Sequence, residues 1–479
     1  MSTGTPTKDT GMKKTLSLWN FFTIGFGAII GTGWVLLVGD WMIIGGGPTA
    51  AIIAFIIGSL FLLPIGAVFG ELTAAIPVSG GIVEYVSRTF GNKLSYFTGW
   101  FLALGNGILC PWEAIAISSL VGEFIPALKI IPLYEIMGAT VYLPPLIVSL
   151  IFAGYVIRLN FKGASAAAKL QGFLTKLLLA GMVIAMGISL FRGGPKNLHP
   201  IYRAANSGAR GSSSIWMGIL PVLVMTPFFY AGFDTIPQQA EEAAEGLDWN
   251  KFGKVISMAL MAAGIFYMIC IYSFGTIVPW EEFVTYNIPA LTILSVIGLK
   301  IFSKVMMFIA IMGPLGPMNS FFGATTRILL AMGRKGQLPE KFSELDKKNG
   351  TPKAANTLMA ILTIMGPFLG NKMLVPLTNV SSLAFIFACF MVSAACLRMR
   401  RTEPNINRPY KVPGGKIGIS LACITALIII GLLVIPGSPA SLNSVEWSVV
   451  MIWFLIGLTL MFVRNRNVKK AISKNGVSN

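Results

Sequence analysis

Apolar runs of about 20 residues recur along almost the whole chain, each separated from the next by a short polar connection. They lie near residues 19–44, 48–76, 95–125, 141–158, 165–191, 214–240, 253–278, 299–332, 354–370, 376–397, 417–436 and 446–463, twelve in all. A run of this length spans roughly 30 Å of hydrocarbon, and in lipid each segment must satisfy its own backbone hydrogen bonds. Runs this uniformly apolar suit helices rather than barrel strands, so the expected class is an all-α membrane protein with twelve transmembrane helices. The longest polar connections, near 192–213, 333–353 and 398–416, are too short to fold as a separate soluble domain.

Interruptions within the runs are more informative than the runs. In the first, Gly25, Gly27, Gly31 and Gly33 crowd into Ile24–Trp34, and Gly31-Thr32-Gly33 is the expected break. In the sixth, Pro221, Pro227, Gly232 and Pro237 bracket Thr226–Asp234, where proline removes donors and glycine weakens the helix. Segments one and six are five apart, and an odd repeat unit inverts its copy across the membrane. Matching interruptions are what a five-plus-five inverted repeat predicts for a secondary transporter. The last two segments fall outside such a repeat. The expected organisation is a cytoplasmic segment over 1–18, an inverted-repeat core over 19–400, two additional helices over 401–464 and a cytoplasmic tail over 465–479.

Composition agrees with a lipid solvent: 54% of the 479 residues are hydrophobic and 12% charged. The net charge of +18 raises the question of nucleic acid, and the placement of the basic residues answers it. With the N-terminus cytoplasmic, 28 of the 37 Lys and Arg residues fall in inside segments, which obeys the positive-inside rule and puts both termini in the cytoplasm of a multi-pass inner-membrane protein. One loop dissents, since 192–213, assigned outside, carries Arg192, Lys196, Arg203 and Arg210. The basic residues are scattered over separate loops without interleaved aromatics, so no nucleic-acid partner is expected. Cys110, Cys270, Cys389, Cys396 and Cys423 fall in apolar runs without metal-ligand spacing, and no disulfide framework or zinc site is expected. No phosphate loop or nucleophile elbow occurs, so neither an enzyme nor an ATP-driven pump is indicated, and no cofactor is implied.

A helix broken at mid-membrane exposes N–H groups at the start of one half, which attract a carboxylate, and C=O groups at the end of the other, which attract an ammonium. Gly31, Thr32 and Gly33 opposite Phe228, Phe229, Tyr230, Ala231 and Gly232 would thus suit a zwitterion without a charged side chain. The competing reading is that these glycines only let helices approach closely. Four ionisable residues lie deep in the runs, and each needs a reason to be there. Glu113 contacts a substrate amine, exchanges a proton, or is a structural carboxyl. Lys176 takes the place of a cation beside the broken first helix, or snorkels to the interface. Asp234 caps the second half of the sixth helix or titrates during transport. Glu71 ties inner-face loops together. The single histidine, His199, lies in a loop, so a carboxylate or lysine must carry any proton coupling.

These motifs resemble those of the amino acid, polyamine and organocation permease superfamily, and the resemblance covers essentially the entire chain. Ile24–Trp34 looks like its glycine-rich opening motif, Gly70–Tyr85 its second-span signature, and Phe228–Glu242 its sixth-span motif. Asn319–Arg334, followed by Gly336 and Pro339, resembles its eighth span and cytoplasmic exit. The resemblance implies a leucine-transporter-like fold. Thr32 and Gly33 would meet the substrate α-carboxylate, the carbonyls of Ile29, Phe228 and Ala231 the α-amine, and Lys176 would replace sodium. The implied function is secondary transport of amino acids by alternating access, with proton coupling or exchange and without sodium. The alternatives are carriage of a polyamine or other small amine, with Glu113 or Asp234 binding the ammonium, and a sensor that binds amino acids without moving them.

Overall fold

The computed structural model describes residues 16–78, 81–162, 167–203, 214–238, 240 and 243–474. Most of the N-terminal segment expected over 1–18 lies outside these residues. So do Ser79 and Gly80 of the second-span signature, Gln239, Glu241 and Glu242 of the sixth-span motif, Arg210 of the dissenting loop, and the last five residues of the tail.

The first run is two helices, α1 (Leu18–Ile29) and α2 (Gly33–Gly45), bent by 53° at the intervening residues. Ser17 and Asn20 form a capping box that starts α1, and Gly46, in the left-handed region at φ 67°, ends α2. Next come α3 (Pro48–Ala75), α4 (Gly81–Phe90), α5 (Asn92–Gly107) and α6 (Leu109–Phe124), the last two forming one 33-residue span. A hairpin of β1 (Pro132–Ile136) and β2 (Ala139–Tyr142) follows. Its turn residues Met137 and Gly138 both have positive φ, as a tight turn between twisted strands requires.

Then come α7 (Leu143–Lys162), α8 (Ala167–Arg192), α9 (Trp216–Leu223), α10 (Thr226–Tyr230), α11 (Thr235–Gln238) and α12 (Phe252–Ile277). Two short helices, α13 (Trp280–Phe283) and α14 (Pro289–Val296), occupy what the hydrophobic pattern leaves as a loop, because each is only one or two turns long. The remainder is α15 (Lys300–Met312), α16 (Leu315–Arg334), α17 (Lys353–Met365), α18 (Leu374–Thr402), α19 (Lys416–Val434) and α20 (Ser444–Lys474).

The protein is predominantly helical, as expected, with the hairpin as its only sheet among the described residues. Among the described residues, eight helices are long and apolar enough to cross a membrane, or nine if the bent pair α1–α2 counts as one. Leu179–Arg192 and Lys353–Leu369 are shorter apolar helices. The sixth run is divided into α9, α10 and α11, none of them long enough alone.

In lipid, helices gain little from burying apolar surface against one another, so close packing must hold them together. The longest such contact is between α3 and α12. It closes at Gly70, where an added Cβ would run into the Gly253 backbone. At the centre, Trp41 packs on Phe55 (centroids 4.6 Å apart) and on Phe229 (4.7 Å), with Tyr267 against all three. At the periphery, α20 is fastened to α5 by a reciprocal clasp. Trp100 and Trp453 stack at 4.4 Å, and each indole N–H donates to the other's backbone carbonyl at 2.9 Å.

One end of the molecule is laced by charged groups. Glu71, fully buried at the end of α3, accepts from Arg400 Nε at 2.9 Å and from the Val412 N–H at 2.7 Å, with Arg408 Nε 3.4 Å away. Arg88 pairs with Glu403 (2.6 Å) and Lys335 with Glu84 (2.7 Å). At the same end the Ala244 N–H donates to the Leu16 carbonyl at 3.0 Å.

Candidate functional site

Both interruptions are present, and they meet. The first falls at residues 30–32, where Ile30 leaves the helical region (φ −87°, ψ 88°) and the Gly31 N–H turns back to the Ile29 carbonyl at 3.2 Å. The second falls at residues 231–234, where Ala231 is extended (φ −57°, ψ 140°) and Gly232 has φ 125°, a conformation open to glycine alone. A Cβ at Gly232 would lie 2.7 Å from the Ala28 carbonyl carbon, and one at Gly33 would lie 2.8 Å from the Phe229 ring. The glycines therefore serve both backbone geometry and close approach.

Thr32 occupies the N-cap position of α2 but does not cap it. Its hydroxyl donates instead to Glu113 Oε2 at 2.9 Å, and both residues are buried. A helix start has N–H groups without intrahelical partners, so the beginning of α2 keeps donors for an anion while its cap hydroxyl is committed to α6. Glu113 Oε1 faces Gly31, 3.4 Å from where its Cβ would stand, with Pro317 of α16 at the same distance on that glycine. Glu113 has no ion-pair partner among the described residues. Trp112, beside it, packs at a tilt against Phe228 (centroids 5.3 Å apart) and donates its indole N–H to the Leu374 carbonyl at 3.0 Å, tying α6 to α10 and α18.

The expected carbonyl groups fare unequally. Tyr267 Oη donates toward both the Ile29 carbonyl (3.2 Å) and the Phe229 carbonyl (3.0 Å), so one hydroxyl of α12 spans the two breaks. The Phe228 carbonyl accepts the Ala231 N–H at 3.2 Å, and the Phe228 N–H donates to Ser382 Oγ at 3.1 Å. The Tyr230 side chain turns away toward α3, where its hydroxyl donates to the Phe55 carbonyl at 3.0 Å, so only its backbone borders the break.

Asp234 is fully buried and stitches the second break. It accepts from the Gly232 N–H at 3.0 Å, from Asn106 Nδ2 at 2.9 Å and from Gln238 Nε2 at 3.2 Å. Lys176 is not brought to this cluster: it sits on α8 with its side chain exposed. Nothing in the periodicity of a uniformly apolar run says which face of the helix a lone lysine takes.

Tyr267, Asn106, Ser382 and Trp112 belong to the site and were not singled out as candidates in the sequence. Each is a polar or amphipathic residue inside an apolar run whose only sequence signal is its isolation. A cavity of about 560 Å³ opens beyond the site, at the end away from the charged lacing. Leu36 and Leu37 of α2 and Ile115 of α6 are among the residues that line it, one turn past Gly33 and half a turn past Glu113. The β1–β2 hairpin, the 284–289 loop and the 370–375 turn form its walls.

The family described as amino acid permease matches residues 16–462. The chain is 24% identical over 468 residues to the branched-chain amino acid permease BcaP of Bacillus subtilis, covering 96% of this chain and 94% of that protein. It is 25% identical to the methylthioribose transporter of the same organism (96% and 95% covered) and 26% identical to its aspartate-proton symporter (88% and 80%).

Proposed function

The chain belongs to the amino acid permease family, and on that premise we propose that it carries amino acids across the cytoplasmic membrane by alternating access. The observation that carries this reading is the meeting of two interrupted helices, Gly232 on Ala28 and Gly33 on Phe229, beside a helix start whose cap hydroxyl is turned away. The substrate α-carboxylate takes the backbone N–H groups of Thr32 and Gly33 at the start of α2, with Gly31 bordering them. The ammonium takes carbonyls from Ile29, Phe228 and Ala231, with Phe229, Tyr230 and Gly232 completing the wall. Family membership supports reading the chain as a transporter rather than an enzyme.

The fold we propose has twelve spans, ten in a five-plus-five inverted repeat. Three correspondences support it: α1–α2 and α9–α11 are both broken, α5–α6 and α15–α16 both step at their middles, and α4 and α14 are short helices at equivalent places in the two halves. Two further spans, α19 and α20, follow the repeat. The basic residues support cytoplasmic termini. In that orientation the 560 Å³ cavity faces outward, and the lacing around Glu71, Arg88 and Lys335 seals the inner side.

Proton coupling or exchange, without sodium, is the proposed energy source. A relative named for proton symport supports it, and Glu113 and Asp234 are the carboxyls placed to serve it. The exposure of Lys176 weighs against its standing in for a cation.

A second reading has one observation in its favour. Thr32 already holds a carboxylate, that of Glu113, where an amino acid would bring its own. A small amine without a carboxylate would leave that bond intact and place its ammonium on Glu113. Counterflow in proteoliposomes with matched amino acids and their decarboxylated amines tests both. Exchange of the amino acids alone supports the first reading, exchange of the amines alone the second, and no counterflow of either removes transport.

A further inference from the structure

The segment between α6 and α7 presents an apolar surface that the described residues leave uncovered. Of the thirteen residues from Ile125 to Met137 only Lys129 and Glu135 are charged, and both are answered locally, Lys129 by Glu123 at 3.0 Å and Glu135 by the Thr140 hydroxyl at 3.3 Å. Ile125, Ile130, Ile131, Leu133, Tyr134 and Met137 are all exposed. Two of them are kept at a conformational cost. Ile131 (φ 56°) and Met137 (φ 50°) stand in the left-handed region, which glycine or asparagine enters with little strain and a branched side chain avoids. A turn in water gains nothing from isoleucine or methionine there. Each is more than half exposed, 54% and 52%, so a side chain held at that cost finds little packing among the described residues. Its partner lies outside the chain.

Placement says what that partner is. The Ile131 carbonyl accepts the Leu143 N–H at 3.1 Å, which sets it beside the first turn of α7. Ile147 and Ile151, exposed on α7, lie about 6 and 12 Å further along that helix than Leu143, at a rise of about 1.5 Å per residue. On the other flank Tyr134 donates its hydroxyl to the Phe368 carbonyl at 2.7 Å, and Phe368 continues the exposed apolar face that α17 presents at Ile361, Ile364 and Met365. The surface is thus continuous with the outward apolar sides of α7 and α17, which in a membrane permease face lipid.

We propose that Ile125–Met137 lies in the interface of the bilayer leaflet on the cavity side, with Ile130, Ile131, Leu133 and Met137 at the acyl boundary and Tyr134 and Glu135 at headgroup level. The partner is a phospholipid surface rather than a second protein. Strand β2 of the same hairpin lines the 560 Å³ cavity through Ala139, Thr140 and Val141, so the bilayer holds one wall of that cavity in place. The inference needs a membrane but no particular substrate.

The test is the depth of nitroxide labels on introduced cysteines in the full-length protein, carrying Cys423→Ser and reconstituted in phosphatidylcholine nanodiscs. The other four cysteines are buried. Labels at Leu133→Cys and Met137→Cys should collide more with oxygen than with a water-soluble nickel complex, and a label at Lys347→Cys, in an exposed polar connection, should show the reverse. In the Ile131→Asn/Met137→Asn variant, which suits the left-handed backbone and drops the apolar side chains, the Leu133→Cys label should change from oxygen-dominated to nickel-dominated collisions. Nickel-dominated collisions at Leu133 and Met137 without the asparagine substitutions would put the surface in water and overturn the proposal, leaving it to a protein partner. A Leu133 label that stayed oxygen-dominated in the asparagine variant would overturn it as well, because the side chains kept at a cost would then not be what holds the segment in the leaflet.

Discussion

The two helix breaks look alike in sequence and are built differently. The second is stitched from within: Asp234 receives the Gly232 N–H and the side chains of Asn106 and Gln238, so every oxygen of a fully buried carboxyl has a donor. The first has no such stitch. Between Ile29 and Gly33 the side-chain anchors among the described residues are Thr32 to Glu113 and the Tyr267 hydroxyl on the Ile29 carbonyl, and the helix that starts there has no capping side chain. Buried polar groups left unpaired are costly, so a break without internal partners must find them in a ligand, in a neighbouring helix, or in water. The second break is therefore the rigid wall of the site, and the first is the face that responds to what binds.

The contrast is most severely strained at Gly232. A valine there would need a left-handed backbone that branched residues avoid, and its Cβ would collide with the Ala28 carbonyl carbon 2.7 Å away. Gly232→Val should lose about 3–5 kcal/mol of stability, from strain and overpacking together, and abolish counterflow. Thermal melting in detergent and proteoliposome exchange measure the two. A variant that exchanged substrate normally would mean that the breaks need not touch.

Removing the stitch comes next. Asp234→Ala leaves the Gly232 N–H and the Asn106 amide without their acceptor in a dry interior, which should cost about 2–3 kcal/mol. The same truncation at the first break, Thr32→Val, should cost less than about 1 kcal/mol while weakening substrate binding. Equal losses of melting temperature in the two variants would erase the distinction between wall and responsive face.

How much of this was legible follows from what each feature needs. The breaks were, because Gly31-Thr32-Gly33 and the prolines around Phe228 disturb helices wherever they occur. Glu71 was also legible, because a carboxylate at the end of an apolar run needs cations, and Arg400 and Arg408 supply them. Tyr267 was not: a tyrosine in the middle of Phe252–Ile277 has no local signature, and its role depends on α12 being packed between the two breaks. Lys176 shows the reverse limit: a lone charge in an apolar run is conspicuous in sequence, but whether it faces the first helix or snorkels outward depends on the face of α8 it takes, which here is exposed. The helices α13 and α14 are too short for periodicity to declare them, although the segment that joins them lines the 560 Å³ cavity.

A smaller effect distinguishes the roles of Glu113. Glutamine keeps the size of the side chain and still offers Thr32 an oxygen, so Glu113→Gln should change stability by less than about 1 kcal/mol. It cannot bind and release a proton. Uptake driven by an inward proton gradient should fall to the level seen without the gradient, while counterflow, which needs no net proton movement, continues. Gradient-driven uptake that survived the substitution would leave Asp234 as the coupling carboxyl and make the stitched break the one that titrates.

The smallest predicted change is the most specific to the comparison. Tyr267 touches both breaks through one hydroxyl, donating toward the Ile29 and Phe229 carbonyls, which sit where their helices end; the first of them also takes the Gly31 N–H at 3.2 Å. Tyr267→Phe keeps the ring against Trp41, Phe55 and Phe229 and removes only that hydroxyl, so the cost should be about 1 kcal/mol. Amide hydrogen exchange reads where the cost falls. Around Ala231–Asp234 the Asp234 stitch remains, and exchange should hardly change. Around Ile29–Gly33 the Thr32 to Glu113 bond is the one side-chain anchor left among the described residues, and exchange should rise. A rise at both breaks together would mean that the hydroxyl, rather than Asp234, sets the rigidity of the second, and the two would then move as one body.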